Sequence, residues 1–147
     1  LSTLHTNSAA SSVTRLVEIG IEPYLVNAVL LGVLAQRLVR LNCEHCREVE
    51  TVDAAIRHEL GVDDGEEFLR GRGCEHCNGT GFRGRVAVYE LLEMSESLRR
   101  LVRPNAETAR IEEAAIEDGM TPLTWSALAL ARAGTIPLSE AFRVRLQ

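Results

Sequence analysis

Lysine is missing altogether from this 147-residue sequence, and all 16 of its basic side chains are Arg. That absence removes whole classes of chemistry. A Walker A loop needs a Lys on the β- and γ-phosphates, so none lies within these residues. A Schiff-base enzyme needs a Lys amine and is excluded too. Aromatic residues make up only 4% and the net charge is −5. A nucleic-acid binder would show a basic face and stacking rings, so no nucleic-acid partner is expected. The longest apolar run, Ala28 to Ala35 interrupted by Gly32, falls well short of the ~20 residues that span a bilayer. No charged n-region or A-x-A-like site marks a signal peptide. The first residue is Leu, and Leu1-Ser-Thr-Leu-His-Thr6 reads like the end of a strand. The chain is therefore expected to be cut from something longer.

What is present suits a globular domain of ordinary size: 46% hydrophobic, 25% charged, with 20 Leu and 16 Ala that favour helices. Residues 1–7 read as a short strand entering a loop. Ser8 caps a predicted helix over about 9–19, which Gly20 ends. Pro23 opens a second, over about 23–34, apolar nearly all round and so expected to be buried. Gln36 to Leu41 fits either a strand or a last helical turn. A short amphipathic helix through Val52, Ala55, Ile56 and Leu60 stops at Gly61. Arg85 to Leu92 is the clearest strand. Ser95 caps a helix ended by Pro104, Asn105 caps one ended by Gly119, Thr121-Pro122 opens one closed by Gly134, and a last helix begins near Ser139. Tyr24, Tyr89 and Trp125 are expected in a core or an interface.

The strongest chemical signal is a repeated Cys-Glu-His-Cys: Cys43 to Cys46 and Cys74 to Cys77, separated by 27 residues. Two residues between ligands let one tight turn aim both thiolates at one ion, and four thiolates favour tetrahedral Zn²⁺. Closed four-ligand sites are structural. Arg47, Arg70 and Arg72 lie near enough in sequence to soften the negative charge. Two unrelated reduced pairs, or a redox dithiol, are the weaker readings, since a redox motif needs one pair at a helix start. His45 and His76 read as solvated knuckle residues. Gly79 and Gly81 follow the second pair, where they allow positive φ. Without metal, residues 42–83 are expected to lose order while the C-terminal helices survive.

Several segments together resemble the traffic ATPases of type II secretion and type IV pilus assembly (the GspE/PilB family). They are Leu1-Ser-Thr-Leu-His-Thr-Asn-Ser8, like the family's His box; Leu31 to Arg40, leading into the first Cys pair; Gly73 to Leu92; and Gly119-Met-Thr-Pro-Leu123. The resemblance implies an α/β fold: the C-terminal part of a RecA-like P-loop ATPase core with an inserted tetracysteine zinc subdomain and a helical C-terminal subdomain. It divides the chain into 1–41, the end of the core; 42–83, the zinc subdomain; and 84–147, a return strand and the helical subdomain. It places His5 near the γ-phosphate and gives the parent protein ATP and Mg²⁺, a homo-hexameric ring, and inner-membrane platform proteins as partners at the cytoplasmic face. Walker A and Walker B are absent here, so the fragment itself is expected to be inactive. Arg37 and Arg40 are expected to be solvated or salt-bridged. A non-catalytic, zinc-stabilised interaction module is the alternative.

Overall fold

A computed structural model describes residues 1–146. The elements run α1 (Ala9–Glu18), α2 (Pro23–Val29), β1 (Gly32–Asn42), β2 (Arg47–Val49), α3 (Ala54–Leu60), β3 (Leu69–Gly71), β4 (Phe82–Glu93), α4 (Glu96–Leu101), α5 (Thr108–Glu117), α6 (Leu123–Arg132) and α7 (Leu138–Arg145). β1 pairs with β4 and β2 with β3, as two two-stranded sheets. The fold is thus mixed α/β. The chain forms two compact units, Leu1–Gln36 with Tyr89–Pro122, and Arg37–Val88 with Leu123–Gln147.

In the first unit, Ser8 caps α1 through a reciprocal box: Ser11 N–H donates to Ser8 Oγ at 3.1 Å, and Ser8 N–H to Ser11 Oγ at 2.9 Å. Ala9, Ala10 and Val13 are fully buried. The segment before α1 differs from expectation: residues 1–6 have no regular structure. A strand needs a partner edge, and among the described residues none pairs with it.

The second helix is shorter than its apolar run predicts. α2 stops at Val29, Leu30 is extended, and β1 begins at Gly32. One cause is Arg99 of the first unit. Its guanidinium donates to the carbonyls of Asn27 and Leu30, occupying the helix's last acceptors. Asn27 Nδ2 in turn donates to Arg99 O at 3.0 Å. From Leu34 to Val39 the burial alternates, with Ala35 and Val39 inward and Leu34 and Leu38 outward, which is strand periodicity. Nor is α2 buried all round: only Val26 is, and Val29 is 73% exposed. Tyr24, Tyr89 and Trp125 are likewise exposed and are not core residues.

Ser95 caps α4 through the Leu98 N–H at 3.2 Å. Asn105 does not cap α5. It takes φ +59 in a turn closed by Ala106 N–H on Arg103 O at 3.1 Å, and Glu107 is the N-cap. After Pro104, a short polar side chain that tolerates the left-handed region serves the turn better than the cap.

In the second unit, α6 and α7 pack against each other and α3 against α7. Asp53 caps α3 through the Ala55 N–H at 2.7 Å, and Gly61 ends it with φ +62. Phe68, Ile136 and Leu138 are among the largest fully buried side chains here.

Candidate metal centre

Each Cys-Glu-His-Cys folds as a knuckle. Cys43 precedes a 3-10 turn, Glu44–Cys46, closed by Cys46 N–H on Cys43 O at 3.3 Å. Cys74 precedes the matching turn, Glu75–Cys77, closed by Cys77 N–H on Cys74 O at 3.2 Å. The chain leaves the first knuckle along β2 and enters the second along β3. These strands are antiparallel, with Arg47 opposite Gly71 and Val49 opposite Leu69. Two further bonds join the knuckles: Cys43 N–H to Gly81 O at 2.8 Å and Arg72 N–H to Cys46 O at 3.0 Å. As expected, Gly79 and Gly81 take positive φ, +75 and +77. The short ribbon β2–β3 is a finding the sequence reading missed, because three-residue strands carry too little periodicity to register.

The knuckles bring Cys43, Cys46, Cys74 and Cys77 together, with all four sulfurs within 4.8 Å of one another. Cys43 Sγ lies 3.8 Å from Cys74 Sγ, Cys46 Sγ 3.9 Å from Cys77 Sγ, and Cys74 Sγ 3.7 Å from Cys77 Sγ. A disulfide needs about 2.05 Å, so these are not bonded pairs. Four sulfurs held ~2.3 Å from a central Zn²⁺ form a tetrahedron with edges of ~3.8 Å. The spacing and the donor set both fit such an ion. Cys43, Cys46 and Cys77 are buried, and Cys74 is half-buried. A four-sulfur set leaves no open position for a substrate, so an ion held here would fix the chain and not activate water.

The backbone treats the sulfurs unequally. Burial opposes ionisation of Cys77, but N–H groups of Cys74 and Gly81, 3.1 and 3.2 Å from its sulfur, and contacts from Cys74 and Cys46 outweigh it. Its pKa comes down to about 6. Burial pushes Cys46 up to about 11, with neighbouring thiols adding to the rise and the Gly73 backbone opposing it.

His45 and His76 lie outside the sulfur cluster. Both are exposed, and their rings stack at 4.0 Å between centroids, 24° from parallel. Arg47 pairs with Glu44 at 3.5 Å and Arg70 with Glu48 at 3.1 Å. Arg40 is salt-bridged: its guanidinium meets Glu140 at 2.7 Å and lies 4.0 Å over the Phe82 ring.

Three buried polar residues that tie the second unit together, two of them through the ribbon or the residue next to it, escaped the sequence reading. Glu50 accepts from Leu138 N–H at 2.7 Å and Ser139 N–H at 3.4 Å, capping α7 where the local residue is Pro137. Asn42 Nδ2 donates to Leu69 O at 2.8 Å and Gly134 O at 3.1 Å. Glu140 accepts the Arg40 N–H at 2.9 Å as well as its side chain. The available signal was negative: α7 has no capping side chain of its own.

His5 belongs to the other unit. It is exposed in the irregular segment before α1, and its neighbour Thr6 is fixed by a 2.5 Å hydroxyl contact with Ser12. Among the described residues no helix is long and apolar enough to cross a membrane.

This combination of a His-Thr-Asn-Ser segment before a capped helix and a tetracysteine ribbon is matched by sequence comparison. The profile of the family described as "Type II/IV secretion system protein" covers residues 1–143. The chain belongs to this family. It is 40% identical over 144 residues to the type IV pilus assembly ATPase PilB of Thermus thermophilus, covering 95% of this chain and 16% of that protein. It is 38% identical over 148 residues to the type IV pilus assembly ATPase TfpB of Acinetobacter baylyi, covering 98% and 25%. Type II secretion system protein E of Klebsiella pneumoniae is 37% identical over 147 residues, covering 100% and 29%. The chain therefore spans less than a third of the length of these secretion and pilus relatives.

Proposed function

We propose that this chain is the C-terminal portion of a traffic ATPase that couples ATP hydrolysis to pilus or pseudopilus assembly. The family match across residues 1–143 carries the reading. On it, residues 1–41 end a RecA-like core, 42–83 form the zinc subdomain, and 84–147 supply the return strand and helical subdomain. Cys43, Cys46, Cys74 and Cys77 hold a structural Zn²⁺, which their sulfur spacing supports. ATP and Mg²⁺ belong to the parent, a hexamer at the cytoplasmic face of the inner membrane, working against platform proteins. His5 is the residue of this chain that acts at the γ-phosphate. Its exposure supports this, since the imidazole is open to a ligand.

Without any Lys the chain cannot supply a P-loop donor, so alone it hydrolyses no ATP. The test compares ATP turnover by this chain and by one extended upstream to the length of its relatives, each with and without His5→Ala. The short chain should show only background. In the extended enzyme His5→Ala should lower kcat by ~10²–10⁴-fold with a smaller change in KM, as for a group acting on the transferred phosphoryl. An unchanged kcat would reduce His5 to an exposed loop histidine.

The interaction-module alternative draws on one observation. Tyr24, Val29 and Leu31 are 67%, 73% and 83% exposed. Partner capture by this chain that is indifferent to nucleotide, with no turnover in the extended protein, would favour it.

A further inference from the structure

Glu90 of β4 is a carboxylate with only 3% of its surface exposed. Burying it is costly unless its oxygens are satisfied. Ala9 N–H, the first helical donor of α1, reaches Glu90 Oε1 at 2.6 Å, across 81 residues of sequence. This is a short, charge-assisted bond at the positive end of a helix. The Ser8–Ser11 box takes the neighbouring donors, and Ala9 and Ala10 are fully buried. The Ala9, Ser8 and Ser11 N–H groups at the start of α1 are therefore committed within the protein and not offered to a phosphate. What the turn can do is hold the segment before it. Thr6 Oγ1 contacts Ser12 Oγ at 2.5 Å and donates to Ser8 O at 3.5 Å, so the chain is fixed up to the residue after His5.

We propose that Glu90 is a positioning residue for His5, acting through the Ala9 N–H and the first turn of α1; the proposal rests on the reading of His5 given above. Carboxylate repulsion at the same place underlines how committed the site is. Glu112 of α5 is raised above the ordinary carboxylate range, by burial first and then by the charge of Glu90.

The experiment measures kcat and KM for ATP, with melting temperature, in the upstream-extended enzyme carrying Glu90→Ala, Glu90→Gln, His5→Ala and the double variant His5→Ala/Glu90→Ala. Ile111→Val, a core change in α5, serves as a control for lost stability. Gln keeps an acceptor oxygen, so Glu90→Gln should hold kcat within about threefold, while Glu90→Ala should lower it by roughly 10–100-fold with KM nearly unchanged, as misplacement of a reacting group does. Residues that act as one unit are not additive, so the double variant should be no slower than His5→Ala alone. The proposal is overturned if Glu90→Ala keeps the parent kcat, if its loss only matches that of Ile111→Val per degree of melting temperature, or if the two losses multiply. Should His5→Ala leave kcat intact, the reading of His5 fails first. A loss in His5→Ala with none in Glu90→Ala would sink this proposal alone.

Discussion

Gly71 and Gly81 stand back to back. A β-carbon on Gly71 would lie 2.0 Å from the Gly81 carbonyl oxygen, and one on Gly81 would lie 2.2 Å from that of Gly71. Neither obstacle is a flexible side chain, so nothing can step aside. The contact sits where β3 ends and the chain turns out of the second knuckle.

Gly71→Ala and Gly81→Ala should each cost roughly 3 kcal/mol, combining overpacking with, at Gly81, a strained backbone. Gly79→Ala is the matched comparison. It has the same sign of φ but nothing within 4 Å of the added carbon, so about 1 kcal/mol is expected. Urea unfolding of the zinc-loaded protein measures all three. Equal losses at Gly79 and Gly81 would remove the steric argument.

Zinc uptake should release fewer than four protons at pH 7.5. Each thiol must ionise to bind, but Cys77, held at about 6, has already lost its proton at that pH. Titration calorimetry in buffers of different ionisation enthalpy counts the protons. Release of all four would mean that the two N–H donors on Cys77 do not hold a thiolate. Elemental analysis should give one Zn²⁺ per chain.

Acid should weaken the second unit through Glu140. Burial opposes its ionisation, but hydrogen bonds from the Arg40 side chain and backbone and the charges of Arg40 and Arg143 outweigh it, holding it below the ordinary carboxylate range. An acid depressed in the folded state contributes stability that is complete above its unfolded value and disappears as pH falls through its folded value. Glu140→Gln should therefore cost about 1.5–3 kcal/mol at pH 7, the range for a hydrogen bond to a charged group. Its deficit relative to the parent should shrink steadily below about pH 4.5, where carboxylates take up protons. A deficit that stayed constant with pH would mean the charge is irrelevant.

Metal removal should reach α7. The sequence reading expects the C-terminal helices to outlast residues 42–83, but Glu50 caps α7 from the ribbon, and α6 and α7 share a unit with the cysteines. With a strong chelator, hydrogen exchange should accelerate in α7 together with residues 42–83, and α1 and α5 should stay protected. Glu50→Ala should cost about 1–2 kcal/mol as a lost cap. Protection of α7 that ignored the chelator would restore the original expectation.

Local chemistry was legible in the sequence and long-range chemistry was not. The Ser8, Ser95 and Gly61 helix ends follow from side chains within a few residues, and so does the pairing of each Cys with its own knuckle partner. The end of α2 depends on Arg99, some seventy residues away, and no window on the sequence contains both. The buried carboxylates Glu50, Glu90 and Glu140 look like ordinary surface charges until their N–H partners are seen. His5 carries no local sign of the role proposed for it. Only the match of its surroundings to a family singles it out.

The ribbon also separates the sulfur geometry from the length of chain between the knuckles. β2 and β3 clamp that excursion at its base, and Glu50 N–H donates to Phe68 O at 2.7 Å just beyond. Past that point Asp63, Asp64 and Gly65 are exposed. Extra residues inserted there would enlarge an already closed loop, and each doubling of loop length costs only about 0.6 kcal/mol. Evolution can therefore lengthen or shorten the excursion without disturbing the four sulfurs. A search for this centre by a fixed interval between its Cys pairs would overlook versions built on the same clamp.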